Sequence, residues 1–102
     1  MELFSKVKYG KLLDIYSSLL TNKQVKQMEE YFLYDLSLTE IAENNNSSRQ
    51  AVYDVIQKAT LLLDEFENKL HILEKYNNVN NLLEASNIPD DIKKSVKNIL
   101  QN

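Results

Sequence analysis

Apolar residues recur along this chain at helical spacing. Leu12, Ile15, Tyr16, Leu19 and Leu20 predict a first helix within residues 3–20, with Gly10 marking a break or a late start. Thr21-Asn22-Lys23-Gln24 then has the form of a capping box: Thr21 accepts from the Gln24 amide, and the Gln24 side chain reaches back to Thr21. With Leu20 and Val25 stapled across it, a second helix runs through Val25, Met28 and Phe32 to about Asp35. Ser37 and Glu40 repeat the device, with Leu36 and Ile41 as the staple, and start a short third helix through Ala42. The run Asn44-Asn45-Asn46 stops that helix, because asparagine competes for backbone hydrogen bonds and tolerates left-handed backbone. Ser48 is the predicted N-cap of a fourth.

From Ser48 to Tyr76 nothing interrupts the helical pattern, and Val52, Ile56, Ala59, Leu63, Phe66, Leu70 and Leu73 alternate by four and three. This is a heptad seam on a helix of roughly 28 residues, about 42 Å long at the usual rise. So long a seam has three readings: burial under the first and terminal helices, homodimerisation, or docking of another protein. The first two together are preferred, with Leu63, Phe66, Leu70 and Leu73 as the dimer interface. Asn77 to Asn81 reads as a polar break, followed by short helices over about 79–85 and 89–100. Pro89 suits a first helical turn, and Asp90 and Asp91 suit its positive end. The expected organisation is a helix-turn-helix domain over 1–76, with a helical tail over 77–102 packing on the same domain.

Residues 37 to 58 carry the candidate chemistry. Two helices joined by a tight polar turn match the arrangement in which a supporting helix holds a recognition helix in the major groove of DNA. Ile41, Ala42, Val52 and Ile56 are the buried contacts, Ala42 being small enough for close approach, and Asn46 takes the left-handed position of the turn. The expected DNA-binding residues are Ser47, Ser48, Arg49, Gln50, Tyr53 and Lys58, with Asp54 exposed among them. Arginine bonds guanine in a fork, glutamine bonds adenine, and serine hydroxyls or helix-end amides reach phosphate. Arg49 is the only arginine in a chain that otherwise uses lysine, which cannot reproduce a planar fork.

Composition narrows the function classes. The 102 residues suit one domain, and with 43% hydrophobic and 26% charged residues, one Gly and one Pro, the chain is globular and helical. Having no cysteine excludes a thiolate metal site and makes the cytoplasm the simplest location. Neither a membrane span nor a signal sequence is expected. His71 is the single histidine, without a companion for a metal or catalytic pair, and Asp64, Glu65, Glu67 and Glu74 read as the solvated face of the long helix. A non-enzymatic protein without cofactor or metal follows. The net charge of -3 opposes a strongly basic nucleic-acid binder, since Glu40, Glu43 and Asp54 outnumber Arg49 and Lys58 within the motif. Lys6, Lys8, Lys11, Lys23 and Lys26 are the candidate source of further positive charge.

The string Ser37-Leu38-Thr39-Glu40-Ile41-Ala42-Glu43, followed by Ser48-Arg49-Gln50-Ala51-Val52-Tyr53-Asp54, resembles the YlxM family of bacterial helix-turn-helix proteins. Leu19 to Gln24, and Glu67 to His71, fit the same family, so the resemblance spans about Tyr9 to Tyr76. The family is similar to the promoter-binding fourth region of sigma factors, which implies an all-α, winged-helix-like fold. The resemblance also implies a link to the signal recognition particle, beside whose genes its members are encoded. By position, Ser48, Arg49, Gln50 and Tyr53 become groove residues. The chain departs from the family in having Asn46 and Ser47 where a glycine and an aliphatic residue are usual. Two functions stand beside each other: DNA binding as a homodimer, or a module acting on the protein or RNA of the signal recognition particle without DNA.

Overall fold

The computed structural model describes residues 4–101, and among these every regular element is helical. The helices are α1 (Lys6–Tyr16), which tightens into a 3-10 turn over Ser17–Leu19, α2 (Asn22–Phe32), α3 (Leu38–Asn44), α4 (Arg49–Leu70), α5 (Ile72–Ala85) and α6 (Asp90–Gln101). The all-α class read from the periodicity is therefore the observed one. Gly10 lies inside α1 without breaking it, since Leu12, Leu13 and Tyr16 beyond it are buried and hold the helix to the core.

Helix starts follow the caps. Thr21 accepts from the Gln24 amide at 3.1 Å while Gln24 Oε1 accepts from the Thr21 amide at 2.9 Å. Ser37 and Glu40 form the second box at 3.1 and 3.0 Å, and Ser48 Oγ accepts from the Ala51 amide at 3.0 Å. Helix ends are less faithful to the pattern. α2 stops at Phe32 rather than Asp35, because Asp35 takes left-handed backbone with φ 58° and its carboxylate pairs with Lys6.

The larger departure concerns the long helix. It ends at Leu70, 22 residues from its start and about 33 Å long, and does not run to Tyr76. His71 adopts left-handed backbone at φ 56° and ψ 30°, its carbonyl accepts from the Lys75 amide, and α5 begins at the next residue. Histidine is among the few non-glycine residues that enter this region at modest cost. The asparagines at 77, 78, 80 and 81 lie within α5, where their weak helix propensity costs only tenths of a kcal/mol each.

The described residues divide into two units, one up to Leu70 and one from His71 onward. In the first, Val52, Ile56, Ala59 and Leu63 of α4 are fully buried together with Leu12, Tyr16, Met28 and Ile41 of the three preceding helices. Two tyrosines of α1 also tie α4 through their hydroxyls. Tyr9 donates to Asp64 at 2.8 Å and Tyr16 donates to Glu67 at 2.6 Å, while Lys8 pairs with Asp64 at 3.0 Å. Asp64 and Glu67 are thus engaged by α1, contrary to the solvated face expected of them. Burial, then the bond to Asp64, raise the Tyr9 hydroxyl above the ordinary phenol value. In the second unit α5 and α6 are joined by a Lys97–Glu84 ion pair at 2.8 Å and a Gln101 to Tyr76 hydrogen bond at 3.3 Å, and Leu83 is its buried residue.

The turn between α3 and α4 is fastened from below by α2. Glu30 is only 8% exposed, and its carboxylate accepts from the Asn44 amide nitrogen at 3.3 Å and from that of Asn45 at 3.0 Å. Asn45 also donates to the Ile41 carbonyl at 2.6 Å, and its oxygen accepts from Lys26 Nζ at 3.0 Å. Asn46 completes the turn with φ 52°, the left-handed position expected of it. Each member of the asparagine run therefore has its own task.

Two stability measurements follow. Glu30→Ala strips the acceptor from two part-buried amides and is expected to cost about 2–3 kcal/mol in urea unfolding, with Glu30→Gln, isosteric but offering a donor to donors, costing about 1–2; unchanged midpoints in both would show the turn to be held otherwise. Bonds from Ser37 hold Glu40 below its ordinary carboxylate value of 4.5. Its folded value being the lower one, the stabilisation is complete above the unfolded value and fades as pH falls through the folded one. Glu40→Gln keeps the accepting oxygen, as Gln24 does, and does not titrate. The melting temperatures of wild type and variant are expected to keep a constant difference above about pH 5, and the variant to gain relative to wild type below about pH 4; parallel curves over the whole range would contradict this.

Candidate nucleic-acid interface

The inward stripe of Val52, Ile56, Ala59 and Leu63 fixes which residues α4 turns outward. At 100° per residue, Gln50 and Asp54 lie opposite the stripe, Gln57 and Lys58 flank them, and all four are exposed. Arg49, in the first turn, is exposed as well, and no hydrogen bond or ion pair among the described residues engages it. The free guanidinium, the Gln50 amide and the Lys58 ammonium are the donors that this end of α4 offers a polyanion.

The remaining expected residues are already partly committed. Ser48 is exposed, but its oxygen is occupied as the helix cap, leaving its hydroxyl proton to donate. Ser47 is exposed and its backbone amide is bonded to the Ala42 carbonyl at 3.0 Å. Tyr53 is half-buried, its ring 6.0 Å from that of Phe4 in a cluster that also takes in Tyr9, Tyr31 and Phe32. That ring is a packing element of the first unit before it is a contact for any partner.

Charge around the motif is redistributed by these contacts. Lys6 and Lys8, two of the lysines counted toward a basic surround, are paired with Asp35 and Asp64. Lys26 does reach the motif, where it bonds the Asn45 amide oxygen, the same side chain whose nitrogen donates to the Glu30 carboxylate. Glu40 is folded back into its capping box, so the exposed acid on the outer face of the first turns of α4 is Asp54, bonded to Gln50 Nε2 at 2.9 Å. Sequence pattern alone passes over Glu30, the tie between Lys26 and the turn, and the bond between Gln50 and Asp54. The signal available for Glu30 is its spacing: it falls three residues after Gln27, on the side of α2 that Gln27 buries.

The four residues assigned to a dimer seam are separated by the fold. Leu63 is 0% exposed and belongs to the core, Phe66 is half-buried with its ring 5.9 Å from that of Tyr16, and Leu73 lies past the His71 break on α5. Only Leu70, 45% exposed, is presented outward by the end of α4. A single heptad seam through all four does not exist, because α4 ends at Leu70 and the left-handed residue at 71 interrupts the helical register. His71 itself binds Glu74 at 2.9 Å.

Comparison with known proteins accords with this architecture. Residues 3–102 match the model of the family UPF0122, described as "Putative helix-turn-helix protein, YlxM / p13 like", and the match includes the tail beyond Tyr76. A UPF0122 protein of Fusobacterium nucleatum is 42% identical over 97 residues, covering 94% of this chain and 92% of that protein. One from Clostridium novyi is 42% identical over 108 residues, covering 92% and 90%. Another, from Shouchella clausii, is 51% identical over 72 residues, covering 71% and 66%. With its whole described length matched and its two capped helices in place around the Asn46 turn, the chain belongs to the UPF0122 family of YlxM-like helix-turn-helix proteins.

Proposed function

We propose that this protein binds duplex DNA, placing the first turns of α4 in the major groove. The observation that carries the reading is Arg49: an exposed guanidinium, unpartnered among the described residues, at the head of a helix whose preceding turn is fastened by Glu30 to Asn45. Its fork matches the O6 and N7 acceptors of guanine, Gln50 lies beside it for adenine, and Lys58, Ser47, Ser48 and Lys26 are the proposed phosphate contacts. Tyr53 contributes its edge, with the ring braced by Phe4. The action is binding, without a catalytic step.

A homodimer suits this function, because two recognition helices then meet successive major grooves. Leu70 is the residue of the predicted seam that remains available for it, with Leu63 and Phe66 engaged inside the fold.

The net charge of -3 and the neutralised Lys6 and Lys8 favour a second reading, in which the same surface serves the protein or RNA of the signal recognition particle. One titration separates the two. Fluorescence anisotropy on mixed-sequence duplexes at several salt concentrations is expected to show binding that weakens with salt, and Arg49→Ala to lose about tenfold or more in affinity. Equal weak binding by both proteins would defeat the DNA reading; retention on immobilised particle RNA or protein in that case would establish the second. For the dimer, light scattering is expected to give twice the chain mass for wild type and the single mass for Leu70→Asp, and a wild-type monomer would reject it.

A further inference from the structure

The outer face of α4 carries a carboxylate where a polyanion is to be bound. Asp54 is exposed and lies directly opposite the buried stripe, and its Oδ1 accepts from Gln50 Nε2 at 2.9 Å. No cation among the described residues pairs with it, although Lys58 is four residues on, at a spacing that permits a pair. It is also the only acid between Arg49 and Lys58. An uncompensated negative charge at the centre of such a face has two effects. It repels phosphate and the acceptor-rich edge of guanine wherever the helix is placed, and the repulsion turns to attraction only where a base presents an amino group. In the major groove those groups are cytosine N4 and adenine N6.

From this juxtaposition we infer that Asp54 is the specificity-determining residue of the interface, suppressing binding to arbitrary duplex and selecting sites with a cytosine or adenine amino group opposite it. The inference rests on the DNA reading given above. Asp54 also acts through its neighbour. By taking one hydrogen of the Gln50 amide it restrains how that amide turns, and leaves Oε1 and the second hydrogen to meet a base. Gln50 thereby presents an acceptor and a donor together, the pair that adenine N6 and N7 require. A reader built this way gives up general affinity and gains discrimination, which fits a chain of net charge -3 better than a binder relying on phosphate contacts.

The test compares wild type, Asp54→Asn, Asp54→Ala and Arg49→Ala in two measurements: affinity for a mixed-sequence duplex pool at three salt concentrations, and the sequences selected from a randomised duplex. Circular dichroism melts accompany both, since a merely helix-stabilising role for Asp54 would move the melts and leave selection alone. Asp54→Asn and Asp54→Ala are expected to bind the mixed pool about fivefold or more tightly than wild type. They are also expected to lose the preference for cytosine or adenine at one position of the selected site, with the Arg49-dependent guanine preference retained. If both variants bind the pool no better than wild type and select the same sequences, the inference fails while the DNA reading stands. If wild type and all three variants fail to bind any duplex, the DNA reading fails and this inference with it.

Discussion

A buried carboxylate holds the turn from which α4 starts. Glu30 is brought beneath the α3–α4 turn by α2, and a carboxylate there must be matched by donors or the fold forfeits its solvation. Asn44 and Asn45 supply those donors, and in doing so they fix the chain at the point where it leaves α3. Asn46 then turns it through left-handed backbone, and Ser48 caps the next helix within two residues. Those bonds set where α4 starts, and the buried stripe of Val52, Ile56, Ala59 and Leu63 sets which of its side chains face outward. A purely apolar contact at the same place would hold the helices together and leave their angle less defined, since burial is non-directional.

Most of the architecture is written in short-range signals. The capping boxes at Thr21 and Ser37 and the cap at Ser48 are local in sequence, so they survive into the structure unchanged. The inward stripe of α4 is periodic, and its first four members are fully buried as their spacing predicts. What the pattern could not foresee depends on partners distant along the chain. Asp64 and Glu67 look like solvent-facing acids until Tyr9 and Tyr16 are brought across from α1, more than fifty residues away in each case. Lys26, Glu30 and the asparagine run form one network only after α2 and α3 pack.

The end of α4 shows a different kind of limit. Phe66, Leu70 and Leu73 continue the heptad rhythm of the buried stripe without a visible interruption, so periodicity alone extends the helix to Tyr76. One dihedral at His71 ends it. Histidine carries no strong breaking signal, whereas the asparagines that follow do, and the helix breaks at the first and continues through the second. For the candidate interface, the identity and exposure of Arg49, Gln50 and Lys58 were legible, while the packing of Tyr53 on Phe4 and the bond between Gln50 and Asp54 belong to three-dimensional context.

The solitary arginine has one more consequence. Because Arg49 is the only guanidinium among 102 residues and stands exposed, with no partner among the described residues, the molecule carries a built-in chemical label at the head of α4. A dicarbonyl reagent selective for guanidinium groups would modify one side chain and no other. Whatever macromolecule covers that helix, nucleic acid or protein, would register as shielding of a single adduct in the mass spectrum of the unaltered chain.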